Sequence, residues 1–132
     1  MIMSGQVHIT GDSGHLILGP RDTDYVSIVF QTEGVKFEVK PYMYHDTQNL
    51  VLFFKELAKQ WKGWHGIKSW QSVEGDLKLD ASHDNFGHVF LKIYLIKYQG
   101  EENESRLIGN LKVDAGSFDT LAVNVDRVLN SN

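Results

Sequence analysis

Apolar and polar positions alternate one by one through most of the first forty residues, and a period of two predicts strands. Val7 to Thr10 and His15 to Leu18 flank Gly11-Asp12-Ser13-Gly14, a turn built of residues that tolerate positive φ. Gly19-Pro20-Arg21-Asp22 reads as a second break. Between Tyr25 and Thr32, Val26, Ile28 and Phe30 share a face; beyond Glu33-Gly34, Val35, Phe37 and Val39 alternate with Lys36, Glu38 and Lys40. So short a link between two alternating runs predicts an antiparallel hairpin with one wet face.

The period then lengthens. Leu50, Phe53, Phe54, Leu57 and Trp61 fall on one helical stripe, while Lys55, Glu56, Lys59, Gln60 and Lys62 face away. The spacing predicts an amphipathic helix of about four turns, with Asp46 or Thr47 as N-cap, Gly63 at its end and Trp61 sealing the core stripe. Strand signals return from Ile67 to Val73, from Leu77 to Ser82 and from His88 to Lys97, broken by Glu74-Gly75 and Asp84-Asn85-Phe86-Gly87. An acidic loop, Gly100 to Glu104, precedes a last strand from Arg106 to Val113. Phe118, Leu121, Ala122, Val125 and Leu129 then repeat the helical spacing, with Asp114 or Ser117 as N-cap. Four strands, a helix, four strands and a helix predict an α+β domain over residues 1–132. Hairpins dominate, so the expected form is a curved antiparallel sheet of about eight strands with both helices on its apolar face.

Composition narrows the class. The 132 residues include no cysteine, which excludes disulfides and disfavours thiolate metal sites. A formal charge of −4 argues against direct nucleic-acid binding and fits a basic protein partner. The opening MIMSGQVHITGDSG has neither the basic nor the apolar region of an export signal, and the longest apolar run, Val89 to Ile96, is broken by Lys92 and is too short to span a bilayer. The expected location is the cytoplasm, with no membrane contact.

Candidate chemistry is thin. His83 and His88 close the two ends of one turn, where they either bind a metal with Asp80 or Asp84 or organise the turn; no third histidine at fixed spacing supports the metal. Ser69, Ser72, Ser82, His65, His83 and Asp84 supply the residue types of a hydrolase without a nucleophile elbow. Glu74, Asp76 and Asp80 lie on or beside a turn, where acidic residues are common. Gly11 to Gly14 lacks the lysine and the helix of a phosphate loop. The expectation is therefore no enzyme, no metal and no cofactor. Trp64 and Trp70 differ: Trp64 sits between Gly63 and Gly66 beyond the expected helix, and Trp70 sits among Lys68, Ser69, Gln71 and Ser72. Both suit recognition, since tryptophans often anchor interfaces.

The segments FFKELAKQWKGWHGIKSW, SVEGDLKLDASHDNFGHVFLKI and LKVDAGSFDTLAV carry a resemblance. They are similar to a bacterial family of small cytoplasmic proteins labelled WapI-like immunity proteins, through a tryptophan-rich helix end, a W-x-S-x-E-G strand and an H-D-x-x-G-H turn. The likeness runs from Phe53 to Val123, a little over half of the chain. It implies a non-enzymatic protein that binds and neutralises the toxic domain of a cognate polymorphic toxin by occlusion. The expected contact residues are Trp64, Trp70, Glu74 and Asp76, with Glu101, Glu102 and Glu104 steering the encounter. A small-ligand or carbohydrate-binding domain with the tryptophans stacked on its ligand is the alternative. An exposed edge strand leaves dimerisation open.

Overall fold

In the computed structural model, which describes residues 5–44 and 46–130, eight strands and two helices follow in the expected order. Residues 1–4 of the N-terminal stretch read above lie outside the described residues. Strands β1 (Val7–Thr10), β2 (Gly14–Asp22), β3 (Tyr25–Thr32) and β4 (Val35–Val39) precede helix α1 (Thr47–Lys59). Strands β5 (Lys68–Gln71), β6 (Leu77–His83), β7 (His88–Lys97) and β8 (Ser105–Asp114) precede a single 3-10 turn, Ala115–Ser117, and helix α2 (Phe118–Asn130). The fold is α+β and every strand pairing is antiparallel.

The strands divide evenly between two sheets, β1-β2-β3-β4 and β5-β6-β7-β8, each a meander of neighbours. β4 and β5, on either side of α1 in sequence, do not pair, so the eight strands form two sheets rather than the one expected. The expected break at Gly19 to Asp22 is instead a register shift inside β2, between Leu18 and Arg21, after which the strand resumes its pairing with β3.

One apolar cluster runs through both sheets and both helices. Ile9, Leu16, Leu18 and Ile28 from the first sheet join Leu79, Ala81, Leu91 and Ile93 from the second, all shielded from solvent. These are the alternating positions that the strand period marks. Phe54 of α1 stacks on Phe118 of α2 at 6.3 Å between ring centres, and Lys55 meets Asp126 at 3.5 Å over the same contact. Two features bind one sheet to the other. The Asp12 amide donates to the Lys112 carbonyl at 3.1 Å, and the Lys112 amide donates back to the Asp12 carboxylate at 3.0 Å. Gly109 on β8 lies under the ring of Phe30 from β3, with no room for a side chain between them.

Both helices begin at expected residues, Asp46 and Asp114, but by different means. Asp46 is the N-cap of α1, but its side chain does not cap the helix; it accepts from the Val73 amide at 2.7 Å and ties the helix start to the β5–β6 turn. Asp114 caps the 3-10 turn through the Gly116 amide, and Ser117 Oγ donates to the Asp114 carbonyl.

Candidate functional site

Helix α1 ends at Lys59, with Gln60 as its C-cap, so Trp61 lies past the last helical turn and leaves the stripe. It is 47% exposed, against the expectation that it would seal the core. Gly63, at φ +142°, swings the chain back, and Trp64 is the tryptophan that goes inside, 7% exposed. The roles of the two are reversed. The Trp64 indole N–H donates to the Gly66 carbonyl at 3.1 Å, and its ring meets His83 edge-on at 5.1 Å. It is a core plug and presents no free face to a partner. Trp70 pairs with Leu79 across β5 and β6 and packs half-buried against the core, so it too is withdrawn from the open face of its sheet.

The two turn histidines do different work. His83 is shielded, with Nδ1 accepting from the Asn85 amide at 2.7 Å and Nε2 2.7 Å from the Trp61 carbonyl. Because Nδ1 accepts, the proton sits on Nε2 and donates to that carbonyl. Both ring nitrogens are thereby committed, and the imidazole bolts the β6–β7 turn to the chain that leaves α1. His88 pairs with Asp114 of β8 rather than facing His83 across the hairpin, and its Nδ1 lies 2.8 Å from Asp84 Oδ2. The other Asp84 oxygen accepts from the amides of Phe86 and His88. Among the described residues, no three histidines or carboxylates gather as a metal site.

Partial desolvation pushes the Asp84 carboxyl upward, but the Phe86 amide and then the imidazole and amide of His88 outweigh it and hold it at about 2. A carboxylate lowered in the folded state stabilises above its unfolded value, about 3.9, and loses that contribution as pH falls toward 2. Asp84→Asn is therefore expected to lower stability at neutral pH, with a deficit that shrinks steadily below about pH 4. Urea unfolding of both forms across the acid range measures this; a deficit independent of pH would refute it.

The acidic residues are partly brought together. Glu74 and Asp76 line a cleft of about 540 Å³ between the β5–β6 turn, the end of β7 and β4, with Glu38, Lys40 and Tyr98 on its walls. Asp76 accepts from Ser72 Oγ at 2.7 Å, which fixes its carboxylate. Glu101 and Glu102 are exposed in the turn beyond Tyr98, whose carbonyl accepts from the Glu101 amide. Glu104 is a turn-holder: the Gly100 amide and the Arg106 guanidinium, both at 2.9 Å, keep its carboxyl below the usual range.

Around this cleft lies a feature that sequence reading missed. Tyr25 and Tyr42 form an isolated backbone bridge and meet edge-on at 5.6 Å, and Tyr42 stacks against Tyr44 at 6.5 Å. Partial burial, then the charge of Asp24, then Tyr25, Tyr44 and Glu74, push the Tyr42 phenol above its ordinary value. A neighbouring cleft of about 560 Å³, lined by Asp22, Tyr25 and Ser27, shares Glu38 and Lys40 with the first. With Tyr98, four of the chain's five tyrosines belong to this region. Their signal was the alternation Pro41-Tyr42-Met43-Tyr44, in which Met43 is fully buried and both tyrosines turn the other way. A further cleft, about 730 Å³ between α1 and α2, has Ala58 and Ala122 in its lining, with Lys55 and Asp126 already paired there.

Residues 18–132 match the model of DUF6228, a family of unknown function. The chain belongs to that family. The DUF6228 match takes in every element except β1 and the start of β2, so it includes the tyrosine region and both acidic clefts. No curated protein and no solved structure matches the chain.

Proposed function

We propose that this protein is a non-enzymatic, immunity-type binder that occludes the toxic domain of a cognate polymorphic toxin in the cytoplasm of the cell that makes both. The observation that carries the reading is the run of ring contacts Tyr25–Tyr42–Tyr44, with Tyr25 on a cleft that shares Glu38 and Lys40 with the cleft holding Tyr98, Glu74 and Asp76. Tyrosine offers large, stiff, amphipathic contact area at little entropic cost, and it is enriched at binding hot spots. Carboxylates interleaved with it complement a basic surface, the surface that a nuclease-type toxin presents to its substrate. A standard interface would cover roughly 800 Å² of this region.

Trp64, plugged into the core, and Trp70, packed against it, are withdrawn both from the stacking role of the small-ligand alternative and from the partner contacts first expected of them.

The test is calorimetric binding of a toxic domain, sought first among the coding sequences beside the gene. The wild-type chain is expected to bind one-to-one and abolish toxin activity. Glu74→Lys with Asp76→Lys is expected to weaken binding on the order of a hundredfold, at two hot-spot contacts. Lysine at Glu101 and Glu102 is expected to slow association and flatten its salt dependence while leaving dissociation nearly unchanged. Full affinity in the folded Glu74/Asp76 variant would remove this surface from the reading.

A further inference from the structure

Strand β8 is an outer strand of the second sheet, ten residues long, and its pairing with β7 runs without a shift from His88↔Asp114 to Lys97↔Ser105. It has no proline and no bulge, and its protections are the cations of Arg106 and Lys112 and the cover of Asp12 at Lys112. The orientation of its backbone is fixed by Asp12. Since the Lys112 amide and carbonyl both bond to Asp12, they point away from β7. Alternation then turns the amides and carbonyls of Asn110, Ile108 and Arg106 the same way. Among the described residues, those groups of Asn110, Ile108 and Arg106 have no partner. Asp12 thus makes the two bonds that a ninth strand would make at Lys112 and leaves the rest of the edge open.

The open window, Arg106 to Asn110, is centred on Ile108, whose side chain is 59% exposed on the outer face of the sheet. We infer that this window pairs with its own copy in a second molecule, antiparallel about a two-fold axis at Ile108. In that register Ile108 faces Ile108 and Arg106 faces Asn110, so an apolar pair sits at the axis and no like charges oppose each other within the window. The paired stretch has about six backbone hydrogen bonds and joins two four-stranded sheets into one of eight. At each end Asp12 of one copy meets the start of the other copy's strand, beside the cations of Lys112 and Arg106, and stops the pairing there. The assembly closes at two. The far edge of the sheet is β5, only four residues long, and too short a template to continue it.

The experiment is sedimentation velocity on the full chain over a concentration series, with Ile108→Lys, Ile108→Glu and Ile108→Pro. The wild-type chain is expected to dimerise, and each substitution to weaken the dimer on the order of tenfold or more. Proline removes only an outward amide, so the protomer keeps its fold, read by circular dichroism. An equimolar mixture of the Lys and Glu variants is expected to recover the dimer, because position 108 meets itself and opposite charges then face across the axis. A wild-type chain that stays monomeric at high concentration overturns the proposal. So does a dimer that ignores Ile108→Pro, or a Lys/Glu mixture that stays monomeric. A monomer that adds a strand from the toxin at this edge gives the edge a different occupant and likewise overturns it.

Discussion

His83→Ala is expected to lower the free energy of unfolding by about 3 kcal/mol, from two lost hydrogen bonds and an unfilled space against Trp64. The Asn85 amide and the Trp61 carbonyl lose their partner together, and both belong to the joint between α1 and the β6–β7 turn. Chemical denaturation gives the size of the effect; the near-ultraviolet dichroism of Trp64 reports whether the joint has loosened. His88→Ala serves as the contrast. Its ring is about two-fifths exposed and its one side-chain partner is Asp84, so the expected cost is no more than about 1 kcal/mol. Equal costs at the two positions would mean that His83 is not the bolt described here.

Gly109→Val is expected to cost about 2–3 kcal/mol, because a side chain there must displace the Phe30 ring. A β-carbon at Gly109 would stand 2.7 Å from two carbons of that ring, well inside contact distance, and Phe30 is itself buried. Two effects oppose each other. Replacing a strand glycine favours the folded state by about 0.5–1 kcal/mol through the unfolded chain, which is smaller than the overpacking penalty, so destabilisation wins. The Phe30→Leu substitution on its own opens a small void and is also destabilising. Combined with Gly109→Val it should recover part of the loss, and the double-mutant cycle over urea midpoints should show favourable coupling of about 1 kcal/mol. Strictly additive effects would indicate that the sheets have another way to separate at this point.

Much of the fold was legible because alternation is a local property. Val26, Ile28 and Phe30, or Leu77, Leu79 and Ala81, announce both the strand and its buried face, and the structure places all six in the core. His83 extends the second run and behaves as its position implies. What was not legible depends on partners distant in sequence. Whether β4 pairs with β5 across a helix is not written in either strand, and the answer, two sheets rather than one, rests on contacts such as Phe30 over Gly109. The reversal of Trp61 and Trp64 has a sharper cause. The helical spacing was extended one turn beyond Lys59, where the backbone had already left the helix. Glu74 and Asp76 were readable as a surface feature, and they do share a cleft. Tyr98, on the wall of that cleft, follows β7, and Tyr25, which lines the adjoining one, comes from β3, so only the fold brings them near.

The clasp between Asp12 and Lys112 spans 100 positions, and the bond from the Arg21 guanidinium to the Leu129 carbonyl spans 108. Almost every other backbone pairing joins consecutive strands. Each meander therefore closes only small loops as it forms, whereas these two links require nearly the whole chain to be gathered first. The order of assembly follows from that difference. Hairpin pairing within each meander is expected to form early, and the long-range packing, α2 on α1, β1 and β2 together with the seam between the sheets, to form last. By the same reasoning it is the first part to come undone, so the durability of the molecule is governed where its halves meet.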